Sequence, residues 1–564
     1  MKNAITRKID TVLLLTTILI FMVTLAACTC NHKPGEWFVY KEAKTNADGE
    51  KRQVCERCGD VLATEVIIAS GSEGLAYTVN PDGVTCVVRG RGRCTDLDVY
   101  VGEYIKGYKV TGIQAEAFRE TPITSIKLAP TVEYIGAKAF EYCEALQSAY
   151  IPDSVTELQN YAFKDCVALT DVRMSEGLES IGGGAFSGCI SLKGIAIPSN
   201  VKTIYGCAFE RCEALEKVSF GEGLEEINDG AFSYCKSLKQ VELPEGIKQI
   251  KGRAFERCES LESINLPDGL TYLGEHVFYG CVSLKEINIP KNISEIPGFA
   301  FGRCESITNV VIPDNINKIG SYSFTECYNL QSITIPSSVT EIDMAAFDGI
   351  NSSKQVYIDD LKAWCNTRFY SITSNPMASG GGDLYLNGEL VTDLVIPLGV
   401  EVIGENLFSG CMSIKSLTIP SSVTTINYHA FSGCKELIKL NLSEGLREIG
   451  MNSFENCISL KDFTIPSTVK EIWMYAFSGC KSIENIVLPE GMACIRNGAF
   501  QNCEGLKSIS IPDTLGYIEN RGLSGCPQLK TINFGGTKGR WNSMDKAIDW
   551  DYLTNNYQVI CAKN

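Results

Sequence analysis

Histidine is nearly absent from this chain of 564 residues, which contains only three. Two of them, His276 and His429, lie far apart at equivalent positions of an internal repeat. No Ser/His/Asp or Cys/His catalytic group can therefore be assembled from them. The acidic residues are spread over turns, which is typical of a solvated face and not of a paired-carboxylate site. The sequence therefore predicts that the protein is not an enzyme.

The chain also has fewer basic than acidic residues and few long apolar runs. The 51 Lys and Arg residues are outnumbered by 67 Asp and Glu residues, for a formal net charge of −16. Nucleic acids and anionic membrane faces reward clustered Lys and Arg, so neither is expected as the main partner. Beyond the amino terminus no stretch approaches the roughly 20 apolar residues that a membrane-spanning helix needs.

The amino terminus has the pattern of an export signal. Lys2, Arg7 and Lys8 precede an apolar run over residues 12–23, which suits a signal peptide better than a membrane span. The run closes on Leu-Ala-Ala-Cys at residues 25–28, which resembles the bacterial lipobox. That resemblance implies cleavage before Cys28, a diacylglyceryl group on its thiol, and an exported protein anchored to the membrane and facing outward. The alternative is an ordinary signal peptide with an incidental cysteine.

The remainder of the chain is dominated by a repeat of 23 residues. Phenylalanine recurs at this interval at Phe140, Phe163, Phe186, Phe209, Phe232, Phe255, Phe278, Phe301, Phe324 and Phe347, and again at Phe408, Phe431, Phe454, Phe477 and Phe500. Phe118 precedes the series one residue out of step, and Leu523 takes the place of phenylalanine in the last unit. A cysteine follows most of these residues by three positions, at Cys143, Cys166, Cys189, Cys212, Cys235, Cys258, Cys281, Cys304, Cys327, Cys411, Cys434, Cys457, Cys480, Cys503 and Cys526.

One unit, AFERCESLESINLPDGLTYLGEH over residues 254–276, indicates how each repeat folds. Leu261, Ile264 and Leu266 favour a short strand, and Pro267 ends it by removing a backbone donor. Phe255 is expected in the interior on the return side. A unit this small cannot bury its own apolar face, so successive units must stack as coils at about 4.8 Å, with parallel strands. Some seventeen coils would form a curved rod of roughly 80 Å.

These residues resemble the BspA-like leucine-rich-repeat family of bacterial surface proteins, whose unit is a strand ending in Pro followed by an AF-x-x-C turn. The resemblance covers roughly residues 67–564 and implies a right-handed superhelix with a concave parallel β-sheet. Together with the amino-terminal pattern and the cysteines that follow it, the repeats predict these divisions: signal peptide 1–27, a small Cys/His segment 28–66, an N-terminal cap 67–117, repeats 118–347, an insert 348–396, repeats 397–530 and a C-terminal cap 531–564. The resemblance also implies adhesion to host matrix proteins or other cells as a function.

The insert and the cysteines allow more than one interpretation. Residues 356–365 favour a short helix with Leu361 and Trp364 facing inward, and residues 374–397 favour a loop and a hairpin turning at Asn387. The insert is either a modified coil that joins two repeat blocks or a protrusion that carries specificity. The repeated cysteines are expected as buried free thiols, because equivalent Cβ atoms in adjacent coils lie about 5 Å apart and a disulfide needs about 3.8 Å. Cys86 and Cys94, in the cap, are close enough in the chain to form a disulfide bond.

A separate group of potential metal ligands lies directly after the lipobox. Cys30, His32, Cys55 and Cys58 include a Cys-x-x-Cys-Gly turn that is similar to half of a zinc ribbon. They predict a structural zinc ion in residues 28–66, since four protein ligands leave no open position for catalysis. The alternatives are a local disulfide or a stalk without metal.

The outward strand positions predict where a ligand would bind, because solenoids bind along their concave face. These positions are mostly small and polar, and six of them are candidate contacts: Tyr150, Arg173, Lys217, Glu242, Asn265 and Asn288. Tyr150 with Arg173 is either a binding anchor or two adjacent solvated residues. Adhesion to extracellular proteins or cell-surface ligands is the first hypothesis. A structural spacer of the envelope and a glycan-binding module are the alternatives.

Overall fold

The computed structural model describes residues 33–41, 49–67, 71–350, 354–554 and 556–563. Cys28, Cys30 and His32 lie outside these residues. Strands Pro34–Lys41, Gly49–Cys55 and Val61–Ile67 form a three-stranded antiparallel sheet. From residue 71 onward the chain forms stacked coils whose strands pair in parallel, so the predicted parallel-strand solenoid is confirmed. In the described part of the chain no helix is both long and apolar enough to cross a membrane.

Most coils contribute one short strand to a first row, in which partners in regular coils lie 23 residues apart. Gln240, Val241 and Glu242 pair with Ser263, Ile264 and Asn265, for example. The strands of this row fall into five sheets: Asp98–Val101, Ser125–Leu128, Ser148–Tyr150 and Asp171–Arg173; Gly194–Ala196, Lys217–Ser219, Gln240–Glu242 and Ser263–Asn265; Asn309–Val311, Ser332–Ile335, Lys354–Ile358, Gly382–Leu386 and Glu389–Leu390; Asp393–Val395, Ser416–Ile419 and Lys439–Leu442; Asn485–Val487, Ser508–Ile511, Thr531–Thr537 and Gln558–Lys563.

A second row of short strands follows the turn after the first-row position, a turn in which most coils have a proline. The sequence did not predict this row. In the coil of residues 254–276 it is Tyr272–Leu273, where Leu273 is buried and Tyr272 is exposed. The strands of this row are Tyr108–Ile113, Tyr134–Ile135, Glu157–Leu158, Ser180–Ile181, Thr203–Ile204, Glu226–Ile227, Gln249–Ile250 and Tyr272–Leu273; Glu295–Ile296, Lys318–Ile319, Glu341–Ile342 and Arg368–Phe369; Val402–Ile403, Thr425–Ile426, Glu448–Ile449 and Glu471–Ile472; Cys494–Ile495, Tyr517–Ile518 and Asp545–Lys546. A strand of two residues has one inward side chain, so it leaves no alternating pattern in the sequence.

Both ends of the coil array are closed by irregular segments. At the start, strand Ala76–Val79 pairs with Thr85–Gly90 in an antiparallel hairpin, and Tyr104–Ile105 pairs with Tyr108–Ile113. At the other end, helix α2 (Lys538–Ser543) precedes the last strand, Gln558–Lys563. Trp541 and Trp550 are buried there, and they cover apolar surface that an end coil would otherwise expose.

The interior is built around the recurring phenylalanines. All of them are buried, and neighbouring rings from Phe118 to Phe347 stack with centroids 4.8–5.8 Å apart. The stack resumes from Phe408 to Phe500 with spacings of 5.3–5.7 Å. Backbone hydrogen bonds also join adjacent coils beside the stacked rings. The N–H of Phe140, for example, donates to the carbonyl of Ala162 at 2.7 Å.

The recurring cysteine thiols are buried, and they also make a repeated hydrogen bond. The thiol of Cys258 donates to the carbonyl oxygen of Phe232, one coil earlier, at 3.2 Å. Equivalent bonds at 2.9–3.3 Å are made by Cys143, Cys166, Cys189, Cys212, Cys235, Cys281, Cys304, Cys327, Cys434, Cys457, Cys480, Cys503 and Cys526. The thiol therefore acts as a donor as well as a small apolar group. Cys86 and Cys94 are buried and are not joined by a disulfide.

Two positions in each return turn adopt left-handed backbone conformations. They lie two residues before and two residues after the phenylalanine, as at Lys138 (φ +57°) and Tyr142 (φ +59°). His276 (φ +58°) and His429 (φ +53°) occupy the first of these positions, and burial lowers the pKa of both imidazoles. A non-glycine residue pays about 1–2 kcal/mol for this conformation, which the coil-to-coil hydrogen bonds of the turn offset.

The insert consists of modified coils within the stack. Strand Lys354–Ile358 pairs in parallel with Ser332–Ile335 on one side and with Gly382–Leu386 on the other. Helix α1 (Leu361–Asn366) begins at Asp360, whose carboxylate accepts hydrogen bonds from two backbone N–H groups, and a 3-10 turn follows at Ile372–Ser374. Trp364 is buried and Leu361 is partly buried against the core. The hairpin turns at Asn387, as the sequence indicated.

Candidate functional site

The strand face consists of the outward side chains of the first row. In strand Gln240–Glu242 the central Val241 is buried while both flanking residues are exposed, and strand Ser263–Asn265 has the same pattern. Each three-residue strand of this kind offers two outward side chains, and pairing in register lines them up along the rod. A ligand lying along the rod would meet these two lines of side chains.

At the amino-terminal end, one of these lines carries an aromatic–cationic row made of Tyr100, Lys127, Tyr150 and Arg173, of which Tyr100 is buried, with 6% of its surface exposed. These residues are directly paired in the sheet. The Lys127 ammonium lies 5.3 Å from the Tyr100 ring centroid and 5.9 Å from that of Tyr150. The Arg173 guanidinium lies 4.7 Å from the Tyr150 ring and donates a hydrogen bond to its hydroxyl. Tyr150 and Arg173 are therefore a coupled pair, and two further residues extend it.

The second line of outward positions completes a shallow cleft of about 250 Å³ beside this row. Asp98, Ser125, Ser148 and Asp171 line that side. The carboxylate of Asp98 accepts hydrogen bonds from Thr124 at 2.8 Å and Ser125 at 2.9 Å, and these two bonds lower its pKa. The cleft therefore offers fixed negative charge along one line and aromatic rings with positive charge along the other.

The other predicted contact residues are spread over the middle of the rod. Lys217 and Glu242 are exposed on the strand face. The Asn265 side chain bonds the backbone N–H of Leu243 at 2.7 Å and its carbonyl at 3.3 Å, so it stabilises the neighbouring coil. Asn288 is exposed but lies in a coil that forms no strand in the first row. The structure does not bring these four residues together.

A second aromatic cluster, the tyrosine pair Tyr357 and Tyr385, lies on the strand face within the insert. The two residues are directly opposed in adjacent parallel strands, and Tyr357 also opposes Thr334. Their rings stack with centroids 4.7 Å apart. Val311 and Leu390, exposed by 65% and 46%, belong to the same sheet. Sequence reasoning missed this pair because the insert departs from the 23-residue spacing.

The sequence-predicted metal ligands are only partly described. Cys55 is buried at the end of its strand, and Cys58 is exposed in the turn that follows. Among the described residues, no three His, Cys, Asp or Glu side chains are grouped so that they could hold a metal ion. Cys30 and His32, the other two predicted ligands, precede the first described residue.

Stacked coils with two parallel strand rows define a β-solenoid, and sequence comparison identifies its family. The family described as "BspA type Leucine rich repeat region (6 copies)" matches residues 111–239, 225–354, 383–474 and 447–543. The chain belongs to this family. No curated protein matches it.

Several crystal structures of bacterial leucine-rich-repeat proteins are similar to this chain. One from Bacteroides ovatus is 25% identical over 86% of this chain and 98% of its own, with a TM-score of 0.40. A leucine-rich cell surface protein from Faecalibacterium prausnitzii is 21% identical over 86% and 97%, with a TM-score of 0.27. A leucine-rich-repeat protein from Treponema pallidum is 28% identical over 38% and 89%, with a TM-score of 0.30.

Proposed function

We propose that this protein is an exported, lipid-anchored surface protein that binds a protein ligand along its strand face. Membership of the BspA-type family supports a protein-binding repeat at the bacterial surface. The signal-like residues 1–27 and Cys28 support export and lipid anchoring. The ligand is a protein of the extracellular matrix or of another cell, and the protein binds it without catalysing a reaction.

The collection of aromatic and cationic side chains at two places on the strand face carries this proposal. Outward positions contribute little to the core, yet the aromatic–cationic row and the tyrosine pair fill them with the residue types that dominate binding energy at protein interfaces. Elsewhere the face is mostly polar, with single exposed valines at Val311, Val395 and Val487. Two separate clusters favour an extended protein ligand that contacts both, with the polar coils between them as a weaker contact.

The alternatives fit these clusters less well. A structural spacer of the envelope needs no aromatic side chains on its strand face. A glycan site prefers an open ring face, but the rings of Tyr357 and Tyr385 cover one another at 4.7 Å. Arg173 likewise covers one face of Tyr150. Protein binding is therefore the better proposal for both clusters.

The test measures binding of the soluble chain from residue 28, carrying Cys28→Ser, to extracellular-matrix proteins, mucins and whole cells. We expect saturable binding that weakens about 30-fold in each of two double variants, Tyr357→Ala/Tyr385→Ala and Tyr150→Ala/Arg173→Ala, since one hot spot is worth about 2 kcal/mol. The matched control, Lys217→Ala/Glu242→Ala, alters the same face between the clusters and should change affinity less than threefold. Absence of binding across the panel, or equal losses in all three variants, would refute the proposal.

The lipid anchor has its own test in cells. The unmodified chain should take up an alkyne-labelled fatty acid and fractionate with membranes. Cys28→Ser should abolish labelling and release the protein. Membrane association without labelling would contradict the predicted anchor.

A further inference from the structure

Both strand rows are interrupted at the same place in the rod, at the coil of residues 277–299. The first row stops at Ser263–Asn265 and starts again at Asn309–Val311. The second row stops at Tyr272–Leu273 and starts again at Glu295–Ile296. Although the structure describes this coil in full, it contributes no strand to the first row. The hydrogen bonds that join adjacent coils elsewhere are therefore partly missing here.

A proline explains the interruption of the second row. In regular coils the residue after the second-row strand donates its backbone N–H to the coil before it, as Gly320 does to the carbonyl of Ile296 at 2.8 Å. Pro297 occupies that position and has no N–H to donate. Within residues 71–350, which the structure describes without a gap, no backbone N–H donates to the carbonyl of Leu273. A cleft of about 290 Å³ lies beside the missing bond.

The interior is packed less closely at the same coil. The rings of Phe255 and Phe278 have centroids 5.8 Å apart and are inclined by 15°, and those of Phe278 and Phe301 are 5.7 Å apart and inclined by 13°. In the rest of the first block of repeats, neighbouring centroids lie 4.8–5.5 Å apart. Ile287, at the first-row position of this coil, is only partly buried, whereas the equivalent Ile264 is buried.

The return turns remain joined across the interruption. The backbone N–H of Phe255 donates to the carbonyl of Val277 at 3.0 Å, as in the regular coils. On the strand side, Lys285 and Glu262 form an ion pair at 2.7 Å, but their side chains are 63% and 49% exposed. An exposed pair of this kind contributes little stability. Adjacent coils are therefore held firmly at the turns and weakly at the strand rows.

A second interruption of both rows, after Glu471–Ile472, differs because side chains bridge it. The carboxylate of Asp462 accepts a hydrogen bond from the backbone N–H of Glu484 at 2.7 Å. The guanidinium of Arg496 lies 3.3 Å from the Glu471 carboxylate and 3.1 Å from that of Glu519. These bonds replace part of the missing strand pairing, so the interruption at Pro297 is the weaker of the two.

We propose that the coil of residues 277–299 is a hinge at which the rod bends. The return turns are the pivot, and the strand rows separate as the angle opens. The aromatic–cationic row lies before the hinge and the tyrosine pair lies after it, so bending changes the orientation of one cluster relative to the other. The hinge does not depend on the ligand proposed above, and it is tested on the protein without ligand.

The experiment measures distances between two spin labels by pulsed electron paramagnetic resonance, on the chain from residue 28 carrying Cys28→Ser. The labels are attached to a ketone-bearing amino acid, because the chain contains many thiols. One pair, at Lys239 and Gln331, spans the hinge. The control pair, at Gln147 and Lys239, lies before the hinge, where the second row is continuous. Both pairs are 92 residues apart, four times the repeat of 23, and all three side chains are exposed.

We expect the distance distribution of the hinge pair to be at least about twice as wide as that of the control pair. Pro297→Gly restores the backbone N–H and should narrow the hinge-pair distribution toward the control width. Glycine by itself adds conformational freedom, so a narrower distribution would come from the restored hydrogen bond. Pro297→Ala restores the same donor and should have the same effect.

The control pair should keep its width in both variants, and circular dichroism checks that each variant is folded. Two results would overturn the proposal. One is an equal width for the hinge pair and the control pair in the parent chain. The other is a hinge-pair distribution that stays as wide as in the parent when either folded variant at Pro297 is measured.

Discussion

The buried thiols of the coils should make this protein unusually sensitive to alkaline pH. Burial raises the pKa of fifteen thiols above the ordinary value of about 9: Cys143, Cys166, Cys189, Cys212, Cys235, Cys258, Cys281, Cys304, Cys327, Cys411, Cys434, Cys457, Cys480, Cys503 and Cys526. For Cys212, Cys327 and Cys526 the pKa rises to about 12. Below pH 8 both folded and unfolded chains keep these protons. Above pH 9 the unfolded chain releases them while the folded chain does not, so stability falls as pH rises.

The magnitude follows from the number of thiols. Each one costs about 1.4 kcal/mol of unfolding free energy per pH unit above 9 until its folded pKa is reached. At pH 10 the three thiols whose pKa rises to about 12, Cys212, Cys327 and Cys526, together cost roughly 4 kcal/mol of unfolding free energy, and the other buried thiols act in the same direction. Lys354 acts in the opposite sense: burial lowers its pKa to about 8, so the destabilisation caused by this group is relieved as the pH rises from 8 to 10.5. One group of that sign cannot offset fifteen of the other.

Urea unfolding at several pH values between 7 and 10, followed by circular dichroism, tests this argument. The urea concentration at the unfolding midpoint should fall steeply above pH 9. The triple variant Cys235→Ser/Cys258→Ser/Cys281→Ser should lose about 4 kcal/mol less unfolding free energy per pH unit than the parent. Serine still donates a hydrogen bond to the phenylalanine carbonyl, but it does not titrate in this range. The comparison is therefore between the slopes of unfolding free energy against pH, and not between the stabilities at pH 7. The reasoning fails if the parent keeps its midpoint at pH 10 or if the two slopes agree.

Two further predictions concern the insert. Ala at Gly410 would place Cβ 2.2 Å from the carbonyl oxygen of Met377, whereas Ala at Gly433 would meet nothing closer than 3.8 Å, and both glycines have φ +74°. Gly433→Ala should therefore lower the free energy of unfolding, measured by thermal unfolding, by about 1 kcal/mol, and Gly410→Ala should lower it by about 2 kcal/mol more. Equal losses would show that the insert does not pack against the coil of Gly410 as described. The buried ammonium of Lys354 donates to two backbone carbonyls, that of Ile350 at 3.0 Å and that of Ser379 at 2.5 Å. Lys354→Ala should lower the free energy of unfolding by about 2–4 kcal/mol because both carbonyl oxygens lose their donor. The control, alanine in place of the exposed lysine of helix α1, should lower it by less than about 0.5 kcal/mol. A loss for Lys354→Ala as small as that of the control would contradict this role.

The repeat was predictable from the sequence down to single side chains. Ile264 is buried and Ser263 and Asn265 face outward, as the leucine spacing indicated. A period of 23 residues places equivalent residues in equivalent surroundings, so one correct interpretation applies to every coil. The stacked phenylalanines are the clearest case, since each buried ring requires a neighbour of the same kind.

The parts outside that period could not be predicted in the same way. Tyr100 and Lys127 belong to the first coils, and Tyr357 and Tyr385 to the insert, where register is set by strand pairing and not by spacing. Their positions on the strand face follow from partners such as Thr334, which the sequence does not identify. The hydrogen bonds from thiols to carbonyl oxygens could not be predicted for another reason. They join residues 26 positions apart, and whether these residues come into contact depends on the turn geometry.

The uniform coil-to-coil bonding has a consequence for how such proteins vary in length. Each coil offers the next one the same phenylalanine carbonyl, the same ring and the same backbone donors, so a whole unit can be removed or duplicated and the remaining coils still fit. Each such event within the intervening repeats moves the aromatic–cationic row relative to the tyrosine pair by one coil, about 5 Å. Recombination within the gene can therefore adjust the separation of two surface clusters in fixed steps, with neither cluster having to be rebuilt.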